Sequence, residues 1–184
     1  MNVTNNLSVG GNLTVSGAIS CGAQQIYAWP TNSNNTGYVN IGTWTIPSNA
    51  GYMLDIKMWL HAGYNAAVGQ IQVVECVLAA SNGSSYATTG SGVVATGSVL
   101  ATGAATYYSK LGGATPTASI SGIVVVQNSA TSFTVWAQGI TAYEDYSMYQ
   151  ITYGPGSSWI NTGIFQTGAP SYGSNYITIT PQAT

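Results

Sequence analysis

The sequence predicts an all-β protein: a short N-terminal β repeat stem followed by an antiparallel β-sandwich head of jelly-roll type. Three observations carry this expectation. Apolar residues alternate with polar ones in short runs, and no window of about a dozen residues shows a helical period. Clusters of Gly, Asn, Ser and Pro separate the runs at the spacing of turns between short strands. The first 23 residues repeat in units of six.

The repeat reads N-L-S-V-G-G from Asn6, N-L-T-V-S-G from Asn12 and a degenerate A-I-S-C-G-A from Ala18. Leu7, Leu13 and Ile19 are equivalent positions, as are Val9, Val15 and Cys21, and their spacing of two within each unit is strand alternation. Three such units carry too little apolar surface to bury a face alone. The stem is therefore expected to give that face to other copies. Leu7, Val9, Leu13, Val15 and Ile19 would form the seam of a homotrimer, although a six-residue period does not itself set the subunit number. The composition changes near residues 22–25, where aromatic residues begin, which divides the chain into a stem (1–23) and a head (24–184).

In the head, strands are expected at 39–46, 52–61 and 69–79. Loops or turns are expected at 31–37, 47–51 and 80–85. The run 52–61 alternates most strictly, with Leu54, Ile56, Met58 and Leu60 on one face and Asp55, Lys57 and Trp59 on the other. Residues 86–116 are rich in Gly, Ala and Thr and read as weak strands and loops. The clearest hairpin joins 119–127 to 131–138. A strand at 147–153 precedes the G-P-G turn at 154–156, and 176–180 forms a terminal strand before Pro181.

Charge is scarce. Of 184 residues only 3% are charged, two Lys and four acids with one His, against about 25% in an ordinary soluble domain. Lys57 and Lys110 cannot build the basic face that phosphate backbones or anionic lipids demand, so neither nucleic acid nor membrane binding is expected. The run 123–126 is far too short to cross a bilayer. No basic segment followed by an apolar core opens the chain, so no secretory signal is expected.

Catalysis finds little support in the residue inventory. His61 is the only imidazole, and general base work needs an orienting partner and a nucleophile beside it. Glu144 and Asp145 are adjacent, so on a strand they would face opposite ways. Asp55 and Glu75 could be neighbours across a sheet, with Glu75 paired to Lys57. The chain is accordingly expected not to be an enzyme. No cofactor or metal is expected, and Cys21 and Cys76 read as buried thiols.

Five Trp and thirteen Tyr are the stronger functional signal. Rings flanked by Asn, Gln, Ser and Gly suit an uncharged carbohydrate: a ring stacks on the apolar sugar face while amides and hydroxyls bond its hydroxyls. The glycan-binding candidates are Trp29, Tyr64 with Asn65, Trp159 with Asn161, Tyr172 and Tyr176. Such rings also serve as core or interface residues.

The unit N-L-x-V-x-G, at Asn6 and Asn12, resembles the repeats of tail fibres and other attachment fibres of phages and large DNA viruses. The resemblance covers the stem alone. It implies a homotrimeric fibre or spike on the virion surface, joined to other virion proteins, whose head meets a host-surface glycan or receptor. A minor capsid or decoration protein and a fibre-borne glycan-degrading enzyme are the alternatives.

Light scattering tests the stem directly. The full chain is expected to run at the mass of three copies, and the chain starting at Gln24 at a lower mass.

Overall fold

The computed structural model describes residues 19–21, 24–47, 52–61, 71–81, 92–95, 98–108, 119–129, 131–180 and 182–183. They form two β-sheets. The larger runs in the order β1 (Ile19–Cys21), β2 (Gln24–Ala28), β10 (Met148–Tyr153), β4 (Tyr52–His61), β5 (Ile71–Ser81), β7 (Ser98–Tyr108), β13 (Gln182–Ala183), with β6 (Gly92–Ala95) also paired to β7. The smaller runs β11 (Ser158–Gln166), β3 (Gly37–Thr45), β9 (Ser132–Ile140), β8 (Gly122–Ser129), β12 (Tyr176–Ile179). All pairings are antiparallel except the short β13–β7 contact.

Strict alternation turns one face of each sheet toward the other. Leu54, Ile56, Met58 and Leu60 of β4, Val74, Cys76 and Leu78 of β5, and Tyr149 and Ile151 of β10 line the inner face of the large sheet. Val39, Ile41 and Trp44 of β3, Ile123 and Val125 of β8, and Phe133, Val135 and Ala137 of β9 line that of the small sheet. All belong to one contiguous apolar core. Trp44 and Phe133 meet with ring centroids 5.6 Å apart. Burial pushes the Cys76 thiol up to about 12, with Asp55 adding to the effect, so it remains protonated and inert at neutral pH.

β3 carries a bulge between Asn40 and Gly42, so Ile41 and Gly42 are both buried and Trp44 returns to the core. A Cβ at Gly42 would lie 2.5 Å from the Trp159 ring and 2.4 Å from the Ile160 carbonyl oxygen, which is why the bulge takes glycine.

The expected strands at 39–46, 52–61, 69–79, the 119–138 hairpin, 147–153 and 176–180 all appear, with ends shifted by a few residues. No strand was expected directly after the turn at 154–156, yet 158–166 forms edge strand β11. Its alternation is masked because Trp159 faces the core while Ile160, on the opposite face, is 66% exposed. Strand β2 was likewise not expected. Ile19, an expected stem residue, lies on β1, which pairs with β2 across the expected stem–head boundary. Leu7, Val9, Leu13 and Val15 lie outside the described residues.

Two loops close one end of the sandwich through side-chain hydrogen bonds. Asn32 donates from Nδ2 to the Asn35 and Thr141 carbonyls (2.9 and 2.7 Å) and accepts from the Glu144 N–H at Oδ1 (2.9 Å). Glu144, fully buried, accepts from Thr141 Oγ1 (2.7 Å) and Ser147 Oγ (2.8 Å). Asp145 Oδ1 accepts from the Asn32 and Ser33 N–H groups (2.7 and 3.0 Å). The Asp145 carboxylate is thus committed to the facing loop, and that of Glu144 to bracing its own. At the neighbouring strand entry, Gln72 Oε1 accepts from the Ser119 and Ile120 N–H groups (2.7 and 2.9 Å).

Asn32→Ala removes three of these bonds and strands the buried Glu144 N–H. The expected loss is about 2–4 kcal/mol, read as a lower urea midpoint with an unchanged m-value.

Candidate functional site

The outer face of the small sheet is set by the parity that its core residues leave over. Trp136 lies between Val135 and Ala137, and Tyr38 precedes Val39, so both point away from the core. Register places Asn40 opposite Trp136 and Tyr38 opposite Gln138. Tyr176, opposite Val126, lies on the same face. The connection from β11 to β12 joins the two edges of this sheet and brings Tyr172 against these rings. Tyr172 meets Trp136 at 6.2 Å with planes at 66°, and Tyr176 at 5.4 Å. The Gln127 N–H, donating to the Asn175 carbonyl (2.8 Å), ties the end of that connection to β8.

Polar groups surround the rings. Thr43 and Thr134 share a hydroxyl–hydroxyl bond of 3.2 Å, and Asn128 Nδ2 donates to Thr134 Oγ1 (2.8 Å). Two oxygens in the cluster are buried without partners, Asn40 Oδ1 and the Tyr172 hydroxyl. Burial pushes the Tyr172 phenol up to about 12, with Tyr38 and Tyr176 contributing in turn. Ile160 and Ile164 extend the face with exposed apolar surface (66% and 58%). Among the described residues, no charged side chain lies on this face. Rings, hydroxyls and amides without charge form a surface for stacking and neutral hydrogen bonding.

The sequence-based candidates divide. Tyr172 and Tyr176 come together, joined by Tyr38 and Trp136, which were not among the candidates. The signal for both was present in the alternation of their own strands. Trp29 and Trp159 are corrected: they are 3% and 7% exposed, and Trp29 sets its edge on Tyr149 at 5.8 Å. Neither offers a ring face to a ligand. Asn161 sits at a bulge in β11, where its Oδ1 accepts from the Tyr149 hydroxyl. Tyr64 and Asn65 lie outside the described residues.

A second surface occupies the outer face of the large sheet. Lys57 and Glu75 are directly opposite and form an ion pair at 3.6 Å, as expected from sequence, and Lys57 Nζ lies 5.8 Å from the Trp59 ring centroid. Asp55 is one diagonal step from Glu75. Burial raises its carboxyl above the ordinary 3.8, Glu75 raises it further, and Lys57 opposes both. Asp55 Oδ1 has no hydrogen-bond partner. Ile26, Met53 and Met148 are exposed on this same face (44%, 57% and 46%). Among the described residues no three His, Cys, Asp or Glu side chains are grouped to hold a metal ion.

Comparison with solved structures places this architecture among parts of much longer chains. The Pantoea stewartii protein WceF, a glycan biofilm modifying enzyme with a bacteriophage tailspike-like parallel β-helix fold, matches at a TM-score of 0.50 and 9% identity, over 92% of this chain and 23% of that one. The tailspike protein of Acinetobacter phage vB_ApiP_P1 matches at 0.39 and 11% identity, over 84% and 26%. That of Acinetobacter baumannii phage AM24 matches at 0.37 and 12%, over 84% and 28%. The chain thus spans about a quarter of the length of each. No family model matches the sequence, and no curated protein does. The expectation that the chain is no enzyme is overturned: a fold of this kind occurs within a glycan-modifying enzyme, so charge scarcity does not rule one out.

The raised Asp55 gives a pH test. The folded state holds the Asp55 proton more tightly than the unfolded state, so this residue's contribution to stability falls as pH rises from about 3.8 through the raised folded value. Asp55→Asn is expected to flatten that fall and to melt modestly higher than the parent at pH 7, with the difference absent at pH 3. Thermal melts across pH 3–7 measure it.

Proposed function

We propose that this chain is a glycan-holding β-sandwich module of a tailspike- or fibre-like virion protein that acts on host-surface glycan. The observation that carries the reading is the charge-free outer face of the small sheet, where the Tyr172 ring lies 6.2 Å from Trp136 and 5.4 Å from Tyr176. The shared fold with part of WceF supports placing such a module in a glycan-modifying protein. The strand connections support a jelly-roll-like arrangement. The chain passes between sheets from β3 to β4 and again from β10 to β11, and β3 pairs β11 while β4 pairs β10. Assembly as a homotrimer at the virion surface, through the stem and alongside other virion proteins, belongs to the same proposal and rests on the N-L-x-V-x-G repeat.

A second reading, glycan cleavage by the chain itself, is favoured by Asp55. Asp55, its carboxyl raised by burial, lies one diagonal step from Glu75, and glycoside hydrolysis requires two neighbouring carboxyls.

Glycan-array binding followed by calorimetry tests the main reading. Trp136→Ala and Tyr176→Ala are each expected to weaken binding at least tenfold while leaving the urea midpoint nearly unchanged for the exposed Tyr176. Equal binding by both variants and the parent would remove the aromatic face from the proposal. In the same preparations, Asp55→Asn and Glu75→Gln would end release of reducing sugar ends, with binding intact, only if the second reading holds.

A further inference from the structure

Beside the aromatic face lies a cleft of about 310 Å³ walled by Thr36, Tyr38, Thr141 and Thr167 and floored by the backbone of Gly37 and Gly139. Its floor is bare by construction. A Cβ at Gly37 would meet the Gln166 carbonyl oxygen at 2.2 Å, and Gly139 adopts φ +67°, so neither position takes a side chain without strain. Tyr38, which follows a register shift at Gly37, also lines the cleft. Tyr38 shares the outer face with Asn40, which pairs Trp136, so cleft and aromatic face adjoin through Tyr38.

The polar groups of the cleft have defined roles. Thr141 Oγ1 donates its proton to Glu144 Oε1 (2.7 Å), which leaves only lone pairs to present to a ligand hydroxyl. The hydroxyls of Thr36 and Thr167 have no partner among the described residues and serve as donor or acceptor. Behind Thr141 stands the fully buried Glu144, an unfavourable neighbour for an anion, while Lys57 is occupied by Glu75 on the outer face of the other sheet. A volume at the low end of ligand sites, about 300–1,000 Å³, admits one sugar ring.

We infer that this cleft is the subsite for a single uncharged hexose unit of the glycan, whose neighbouring units lie along Trp136, Tyr172 and Tyr176. The inference rests on the glycan-holding reading above and adds two things: the subsite and the exclusion of acidic sugars.

The test uses the full chain with neutral hexamers of glucose, galactose and N-acetylglucosamine and with hexagalacturonate, by saturation-transfer NMR and calorimetry. Thr36→Val combined with Thr167→Val keeps shape and removes the two free hydroxyls at exposed positions. Binding of a neutral hexamer, weakened about tenfold or more in this double variant and absent for hexagalacturonate, is the expected result. Binding that the double variant leaves unchanged but Trp136→Ala abolishes would overturn the subsite and leave the glycan-holding reading standing. Hexagalacturonate bound as tightly as the neutral hexamers would overturn the neutral-sugar assignment. Binding of none of the four would overturn both.

Discussion

The packing of one face of each sheet against the other is the constraint on which the rest of this structure depends. Leu54, Ile56, Met58 and Tyr149 on one side, and Trp44, Phe133 and Val135 on the other, cannot be inward unless every intervening residue is outward. Function is therefore confined to what the core leaves over. On the small sheet the remainder is Tyr38, Asn40, Trp136 and Tyr176; on the large sheet it is Asp55, Lys57, Trp59 and Glu75. The bulge at Gly42 resets this parity within β3, and it lets Trp44 enter the core while Thr43 and Asn40 both remain outside.

With so few charges, cohesion away from the core rests on neutral hydrogen bonds and on acids used as acceptors. Asn32 and Glu144 each bond to several partners and hold two loops together from positions more than a hundred residues apart. These bonds are buried, so salt screens them little. The Lys57–Glu75 pair is solvent-exposed by comparison and contributes at most about 1 kcal/mol. Asp55 beside it is made a weaker acid chiefly by burial, with Glu75 adding to the effect and Lys57 opposing it.

The two outer faces differ in chemistry and so in what each can do. The small-sheet face has rings, hydroxyls and amides, a chemistry of stacking and neutral hydrogen bonding. The large-sheet face has Asp55 and the Lys57–Glu75 pair with exposed Met and Ile beside them. The residue inventory pointed away from catalysis because charges are few; alternation already allowed Asp55 and Glu75 to be neighbours across a sheet, and strand order places them one diagonal step apart. The likeness to part of a glycan-modifying enzyme makes that placement matter here.

Much of the fold was legible because alternation is a local property. The strands carrying Leu54 to Leu60 and Phe133 to Ala137 declare their inner face within a few residues, and Lys57 opposite Glu75 follows once those strands are neighbours. What the sequence could not rank was aromatic burial, since Trp29 and Trp159 look like loop rings until β10 and β3 close over them. Edge strand β11 escaped for a related reason: its two faces are both apolar, so the period-two signal vanishes. The sequence by itself determined the all-β class, the charge-free chemistry and the parity of its central strands. Only the tertiary structure decided which rings share a surface, because Tyr38, Trp136, Tyr172 and Tyr176 meet through strand order and a connection spanning the sheet, which no local pattern encodes.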